Sequence, residues 1–242
     1  MTTPAATAAV FERALVVTAH PDDVDFGAAG TVASWVAAGA EITYCICTSG
    51  DAGGFDDTPR EDVPRLRQDE QRAAAAAVGV TDVRFLDRQD GQVVADLGLR
   101  RDITRVIREV RPHRVVTHSP EINWAHLAVS HPDHRAVGEA ALAAVYPDSR
   151  NAFAFPELLA AGLEPWTVSQ LWMSESPDER VNHAVDITDH FDAKLAALAA
   201  HRSQTAHLAD LAGMITRHLS RTAERHGMPG RLAEAFHVVD TA

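Results

Sequence analysis

Two four-residue clusters, His20-Pro21-Asp22-Asp23 and His131-Pro132-Asp133-His134, hold the residues of this 242-residue chain best suited to chemistry. Imidazole and carboxylate together form a donor set suited to a divalent first-row metal, and three protein ligands leave a position for water, as in catalytic zinc sites. A water so placed ionises near neutral pH and can attack a carbonyl. The chain has no Cys-X2-Cys pair, which argues against a structural zinc cluster. Each cluster alone has a simpler reading as a capping turn, with Pro21 setting a bend, Asp22 or Asp25 capping a helix, and Asp133 near a helix N-terminus. The chemical reading requires that the fold bring the two clusters together.

The elements that would do so alternate in type. Residues 13–20 read as a buried strand, 27–40 as a helix closing on Gly39, and 41–50 as a second strand. An acidic loop, DAGGFDDTPREDVP, leads to a helix over 65–80 and then to a short third strand, VRFLD. The apolar stripe Leu99, Ile103, Val106, Ile107 and Val110 predicts a helix over 97–112 stopped by Pro112, followed by a strand over 114–119 and a helix over 131–146. VSQLWMSES and NHAVDIT read as further strands, and residues 190–242 as a helical C-terminal region. This order predicts the α/β class: a Rossmann-like open, mostly parallel sheet with helices on both faces, in a single domain over 1–242 with its core in 13–204. In the common doubly wound order 3-2-1-4-5, strands one and four flank the switch point, so both clusters would line one cleft at the strands' carboxyl ends.

Composition narrows the function classes. An apolar content of 46% suffices for a sizeable core, and a formal charge of -12 speaks against a nucleic-acid partner. No stretch reaches bilayer-spanning length, and MTTPAATAAVFERALVV lacks the basic start and long apolar core of a signal peptide, so a cytoplasmic location without membrane insertion is expected. Cys45 and Cys47 alternate along the second strand and are expected to be reduced core residues. Lysine occurs once, at Lys194, in a chain rich in arginine and alanine, which reads as compositional bias.

AHPDDVDFG, TSGDAGG, RQDEQRAAAAAVGV, HPDHRAV and KLAALAAHRSQ together resemble the PIG-L/LmbE family of zinc-dependent de-N-acetylases, across residues 13–204. Members of that family remove acetyl groups from N-acetylglucosaminyl lipids, from precursors of low-molecular-weight thiols and from amino-sugar portions of antibiotics. The resemblance implies His20, Asp23 and His134 as metal ligands, with Zn2+ as the cation and Fe2+ accepted by the same donors. It implies Asp22 as general base and His131 as the group that stabilises the developing oxyanion. Adjacent aspartates cannot face a metal in the same way, so one binds while the other reaches water. His131, one helical turn before His134, projects near the same spot and, if protonated, would donate to a tetrahedral intermediate. Asp133 is expected to tune His131 or to orient a ligand from behind.

Arg67 and Asp90 match positions that in relatives contact the sugar; their simpler readings are a helix arginine paired with Glu70 or Glu61, and an Asp-Gly turn. Trp124 and His126 are candidates to stack on or hydrogen-bond a substrate, against the commoner outcome of a loop tryptophan packing on its own domain. His118 is a further candidate, and His201 and Gln204 either close the cleft wall or sit at a helix end, where a histidine meets the dipole. The implied partner is a small N-acylated amino sugar, and the oligomers formed by relatives imply a homo-oligomer. Two departures stand out: Val24-Asp25 where many relatives carry glutamate, and a longer, more apolar segment, SPEINWAHLAVS, before the second cluster. The expected function is zinc-dependent removal of an N-acetyl or N-acyl group. Its competitors are an amidase acting on thiol conjugates and a non-catalytic sugar- or nucleotide-binding module, although TSGDAGG has neither GxGxxG nor a Walker lysine.

Overall fold

A computed structural model describes residues 11–55 and 57–242; the first residues of the segment read for a signal peptide, and position 56 of the acidic loop, lie outside them. The elements are β1 (Arg13–Thr18), α1 (Asp23–Gly27), α2 (Ala29–Ala37), β2 (Glu41–Thr48), α3 (Val63–Ala77), β3 (Asp82–Arg88), α4 (Leu97–Val110), β4 (Arg114–His118), α5 (Pro132–Val145) and α6 (Pro156–Ala160). They continue through β5 (Gln170–Ser174), β6 (His183–Asp186), α7 (Phe191–Ala200), α8 (Arg202–Thr205), α9 (Leu211–Arg225) and β7 (Ala233–Asp240).

The strands form one sheet in the order β3-β2-β1-β4-β5-β7-β6. The first five neighbours pair in parallel and reproduce the predicted 3-2-1-4-5 order. Period-2 alternation builds a core on each face of this sheet. Ala14, Val16, Tyr44 and Ile46 pack under α2, α3 and α7, while Leu15, Val17, Cys45 and Cys47 pack under α4 and α5. Both cysteines are buried and free, as expected, and burial pushes the Cys45 thiol up to about 12.

One predicted element requires correction. The C-terminal region is not helical throughout: α9 is followed by β7, which runs antiparallel between β5 and β6. Ala233, Glu234 and Ala235 favour helix locally, but burial of Phe236 and pairing on both edges decide the outcome, since strand preference is largely set by tertiary packing. The predicted first helix is α2, and ahead of it the chain adds a single turn, α1, within the first cluster, with a break at Ala28 between them.

That break is held from beneath by Lys194, which is fully buried. Its Nζ donates to Asp25 O (2.8 Å) and Phe26 O (2.7 Å) at the end of α1, and to Glu234 Oε1 (2.8 Å). Glu234 in turn accepts from Gly30 N (3.0 Å) and Thr31 N (2.7 Å) at the start of α2. A cation thus meets one helix's C-terminal carbonyls and an anion the next helix's N-terminal amides, the polarity that helix dipoles favour. The lone lysine therefore has a structural task, and compositional bias does not account for its position.

Candidate metal centre

The carboxyl ends of β1 and β4 bring the two clusters together. His20 and Asp22 follow β1 directly and Asp23 begins α1, while His131 caps α5 and His134 lies in its first turn. Gly138 lets α5 approach this closely, because a Cβ there would collide with the carbonyl of His118 at the end of β4. His20 Nδ1 lies 3.4 Å from Asp23 Oδ2, His134 Nε2 lies 3.1 Å from Asp23 Oδ1, and the two ring nitrogens are 3.3 Å apart. Around a tetrahedral ion with ligand bonds near 2.0–2.1 Å, ligand atoms are separated by about 3.4 Å. The 3.3 Å edge between the two rings is of that size, and Asp23 meets each ring with a different carboxylate oxygen. Three further sets of donors lie within 4.8 Å of one another: His20, His131 and His134; Asp23, His118 and His134; and His20, Asp90 and Asp133.

Charge in the cluster agrees with that geometry. Burial alone would lower the pKa of His20, but hydrogen bonds with Asp133, Asp23 and Asp90 overcome it and push the ring up to about 12. His134, also opposed by burial, is pushed up to about 10 by Asp23 and Glu175. Burial would raise Asp23, yet His134 and His118 hold it well below the usual carboxylate range. So acidic a surround favours positive charge at its centre, which is what a bound cation supplies.

Asp22 has a different environment from Asp23. Its backbone is left-handed (φ 92°), and its side chain makes no helix-capping bond, so the capping reading fails at this residue. Arg67 Nη2 donates to Asp22 Oδ2 (3.2 Å), and the Asp22 amide donates to Gln71 Oε1 (2.8 Å). Burial and the charge of Asp23 push the Asp22 carboxyl up to about 7, against the opposing pull of Arg67.

Arg67 is not the surface arginine of its simpler reading. Its side chain is only 6% exposed and pairs with neither Glu70 nor Glu61; besides Asp22 it donates to Pro21 O (2.8 Å) and Gly50 O (2.9 Å). It underpins the loop that carries Asp22. Gly50 makes this possible: its φ is +66°, and a Cβ there would overlap the guanidinium. Part of the glycine content of TSGDAGG thus serves the packing of Arg67.

Asp90 sits in the turn that precedes Gly91, and its carboxylate is engaged within the protein. Oδ1 lies 3.0 Å from His20 Nε2, and Oδ2 accepts from Ala52 N (3.0 Å). Asp133 Oδ2 reaches the same nitrogen at 3.3 Å and accepts from Gly91 N (2.7 Å). Of the two roles expected for Asp133, the side chain's position matches the second, behind His20. His131 meets Asp133 only through the backbone, its Nδ1 accepting from Asp133 N (3.2 Å). Burial and the nearby His20 and His134 push His131 down. In the neutral ring the proton then resides on Nε2, which can donate without the ring being charged.

The AHRSQ segment packs against the site from below. His201 Nε2 lies 2.7 Å from Asp25 Oδ2, both residues being fully buried, and Gln71 donates to the same oxygen (2.8 Å). The departure at Asp25 is thereby absorbed into the support of α1, away from the cleft. Ser203 anchors the segment to Glu70, and Gln204 bonds Ser203. Trp124 does not pack onto its own domain: it is 80% exposed, beside Leu127 at 64%, on a loop fixed by buried Asn123.

Two members of the site were undervalued or missed from sequence. His118 is buried with Nε2 3.2 Å from Asp23 Oδ2, and Glu175 reaches both His118 and His134. Glu175 has one sequence signal, a carboxylate at the carboxyl end of a strand adjacent to β4.

Fold and site together define a doubly wound α/β protein with an imidazole and carboxylate cluster at its switch point. Residues 15–145 match the PIG-L family, GlcNAc-PI de-N-acetylase, and the chain belongs to that family. It is 34% identical over 204 residues to a probable N-acetyl-alpha-D-glucosaminyl L-malate deacetylase 2 of Bacillus cereus, covering 79% of this chain and 83% of that protein. It is 29% identical over 194 residues to diacetylchitobiose deacetylase of Thermococcus kodakarensis, covering 80% and 70%. The solved N,N'-diacetylchitobiose deacetylase of Pyrococcus horikoshii superposes with a TM-score of 0.86 at 26% identity, over 96% of this chain and 85% of that one.

Proposed function

We propose that this chain is a divalent-metal-dependent hydrolase that removes the N-acetyl group from an N-acetylglucosamine-type amino sugar, with zinc as its metal. The observation that carries the reading is the convergence of His20 Nδ1, His134 Nε2 and the two oxygens of Asp23, at 3.1–3.4 Å, beside an aspartate held apart by its own arginine. The deacetylase names of the relatives support the choice of bond.

A cation held by those three side chains supplies Lewis acidity to the amide carbonyl and acidifies a neighbouring water. Asp22 is the general base. Arg67 holds its Oδ2, which leaves Oδ1 to take the proton of the attacking water. His131 donates from Nε2 to the oxyanion as the carbonyl carbon becomes tetrahedral. On collapse the proton on Asp22 passes to the departing amine, and acetate remains. Asp90 and Asp133 hold His20 by its far nitrogen, so the ring presents Nδ1 to the metal position. Exposed Trp124 offers a face on which a sugar ring can stack. A binding module would have no use for a base tethered beside a cation site.

The test is release of free amine from a panel of N-acetylated amino sugars, including N-acetylglucosamine, its β-1,4 dimer and α-glucosides of it. Release that stops with a chelator and returns with zinc is expected; chelator-resistant release, or none from a zinc-loaded protein on any acetamido sugar, would overturn the reading. The same proposal includes a cytoplasmic homo-oligomer, checked by cell fractionation and light scattering. Among the described residues no helix is long and apolar enough to cross a membrane.

A further inference from the structure

Glu175 follows β5 directly and adopts a left-handed backbone (φ 60°) that is unfavourable for a side chain of its size. Strain of this kind persists where surrounding contacts enforce it. Here the contacts belong to two imidazoles. Glu175 Oε2 lies 2.8 Å from His118 Nδ1 and 3.1 Å from His134 Nδ1, and the two rings stack with centroids 4.1 Å apart at 14°. Their opposite nitrogens both face Asp23, His118 Nε2 at 3.2 Å and His134 Nε2 at 3.1 Å. Glu175, His118, Asp23 and His134 thus close a circuit in which one carboxylate oxygen organises two rings around another carboxylate.

This circuit settles which nitrogen of His134 carries the proton. Nδ1 faces only acceptors, Glu175 Oε2 and Val129 O (3.2 Å), so it keeps its proton, and Nε2 is the nitrogen that offers a lone pair when a cation is bound. That lone pair lies on the side of Asp23 and His20. The backbone carbonyl alone could fix His134, but Glu175 also holds His118, whose Nε2 accepts from Ala19 N (3.2 Å) and lies 3.2 Å from Asp23 Oδ2.

We propose that Glu175 is a positioning residue for the metal centre: its carboxylate holds His134 with Nε2 turned to the cation and seats His118 against Asp23. The proposal rests on the metal-dependent reading of the site. A ligand's hydrogen-bonding partner of this kind typically changes metal affinity by about 10–100-fold when removed.

The test compares wild type, Glu175→Gly and Glu175→Gln. Glycine deletes the carboxylate and accepts a positive φ, and glutamine keeps an oxygen for the rings. Zinc affinity by competition with a chromophoric chelator is expected to fall about 10–100-fold in the glycine variant and to recover in large part with glutamine. Long-range 1H–15N spectra of the zinc-loaded proteins should show His134 bound through Nε2 with its proton on Nδ1 in wild type and a mixture of ring orientations in the glycine variant. If that variant shows no cooperative unfolding transition, Glu175→Asp, a methylene short of both rings, serves in its place. A folded glycine variant with wild-type zinc affinity and an unchanged His134 ring orientation would overturn the proposal. Wild-type protein that takes up zinc yet cleaves no acetamido sugar would remove the deacetylase reading and leave this one standing, whereas wild-type protein that takes up no zinc would remove both.

Discussion

Replacing Lys194 by methionine tests whether the clamp between α1 and α2 supports the fold in the way its contacts imply. Methionine fills most of the volume and removes three donors, to Asp25 O, Phe26 O and Glu234 Oε1. Both side chains of the ion pair are 1% exposed, so solvent cannot replace what is lost. Removing one partner of a buried pair costs about 3–5 kcal/mol, because the remaining charge stays desolvated. Glu234 still accepts from Gly30 N and Thr31 N, which places the expected loss toward the lower end. For a domain of this size each kcal/mol moves Tm by about 2–4 °C, so a fall of about 6–20 °C is expected. The double variant Lys194→Met/Glu234→Gln removes both charges and should regain a large part of the loss. Thermal unfolding followed by circular dichroism measures both. A single variant within about 1 kcal/mol of wild type, or a double variant worse than the sum of its singles, would refute the reasoning.

The remaining expectations concern the site. Asp22→Asn should retain zinc by elemental analysis while kcat falls about 10²–10⁴-fold, whereas His134→Ala should lose the metal itself; wild-type turnover in the first or full metal content in the second would count against the assignments. Gly50→Ala places a Cβ against the Arg67 guanidinium at a left-handed backbone position, so it should cost at least about 1–2 kcal/mol in chemical denaturation and lower kcat by displacing Asp22. Trp124→Ala should raise KM about 2–10-fold for sugars that reach the 119–130 loop, matching about 0.5–1.5 kcal/mol of ring stacking, with kcat little changed. A fall in kcat alone would instead place Trp124 in the chemistry.

Much of this architecture was legible because the local and global signals agree. Alternating strands and helices, each carrying its own apolar period, led to the sheet order, and the sheet order led to the meeting of the two clusters. The sequence was less informative where a residue's task is set by something distant in the chain. Arg67 looks like a helix-surface arginine until the Gly50 and Pro21 carbonyls are seen to converge on it. Asp90 looks like a turn residue because it is one, and its contact with His20 depends on how the β3 and β1 ends are spaced. Glu175 carries no local motif; its partners lie 41 and 57 residues away. The first three residues of β7 favour helix in isolation, and only pairing with β5 and β6 makes them a strand.

The placement of Glu234 on β7 also sets an order of events during synthesis. The turn bearing His20, Asp22 and Asp23 leaves the ribosome early, but the carboxylate that fastens the start of α2 lies 204 residues beyond Gly30. A nascent chain can pair β1, β2 and β4 and hold the donor residues in rough proximity, yet the seam beneath α1 stays open until residues 233–240 thread between β5 and β6. The turn that carries the first cluster is therefore made first and fastened last. A chain stalled or cleaved before β7 should lack the clamp beneath α1 and unfold more readily than the full chain.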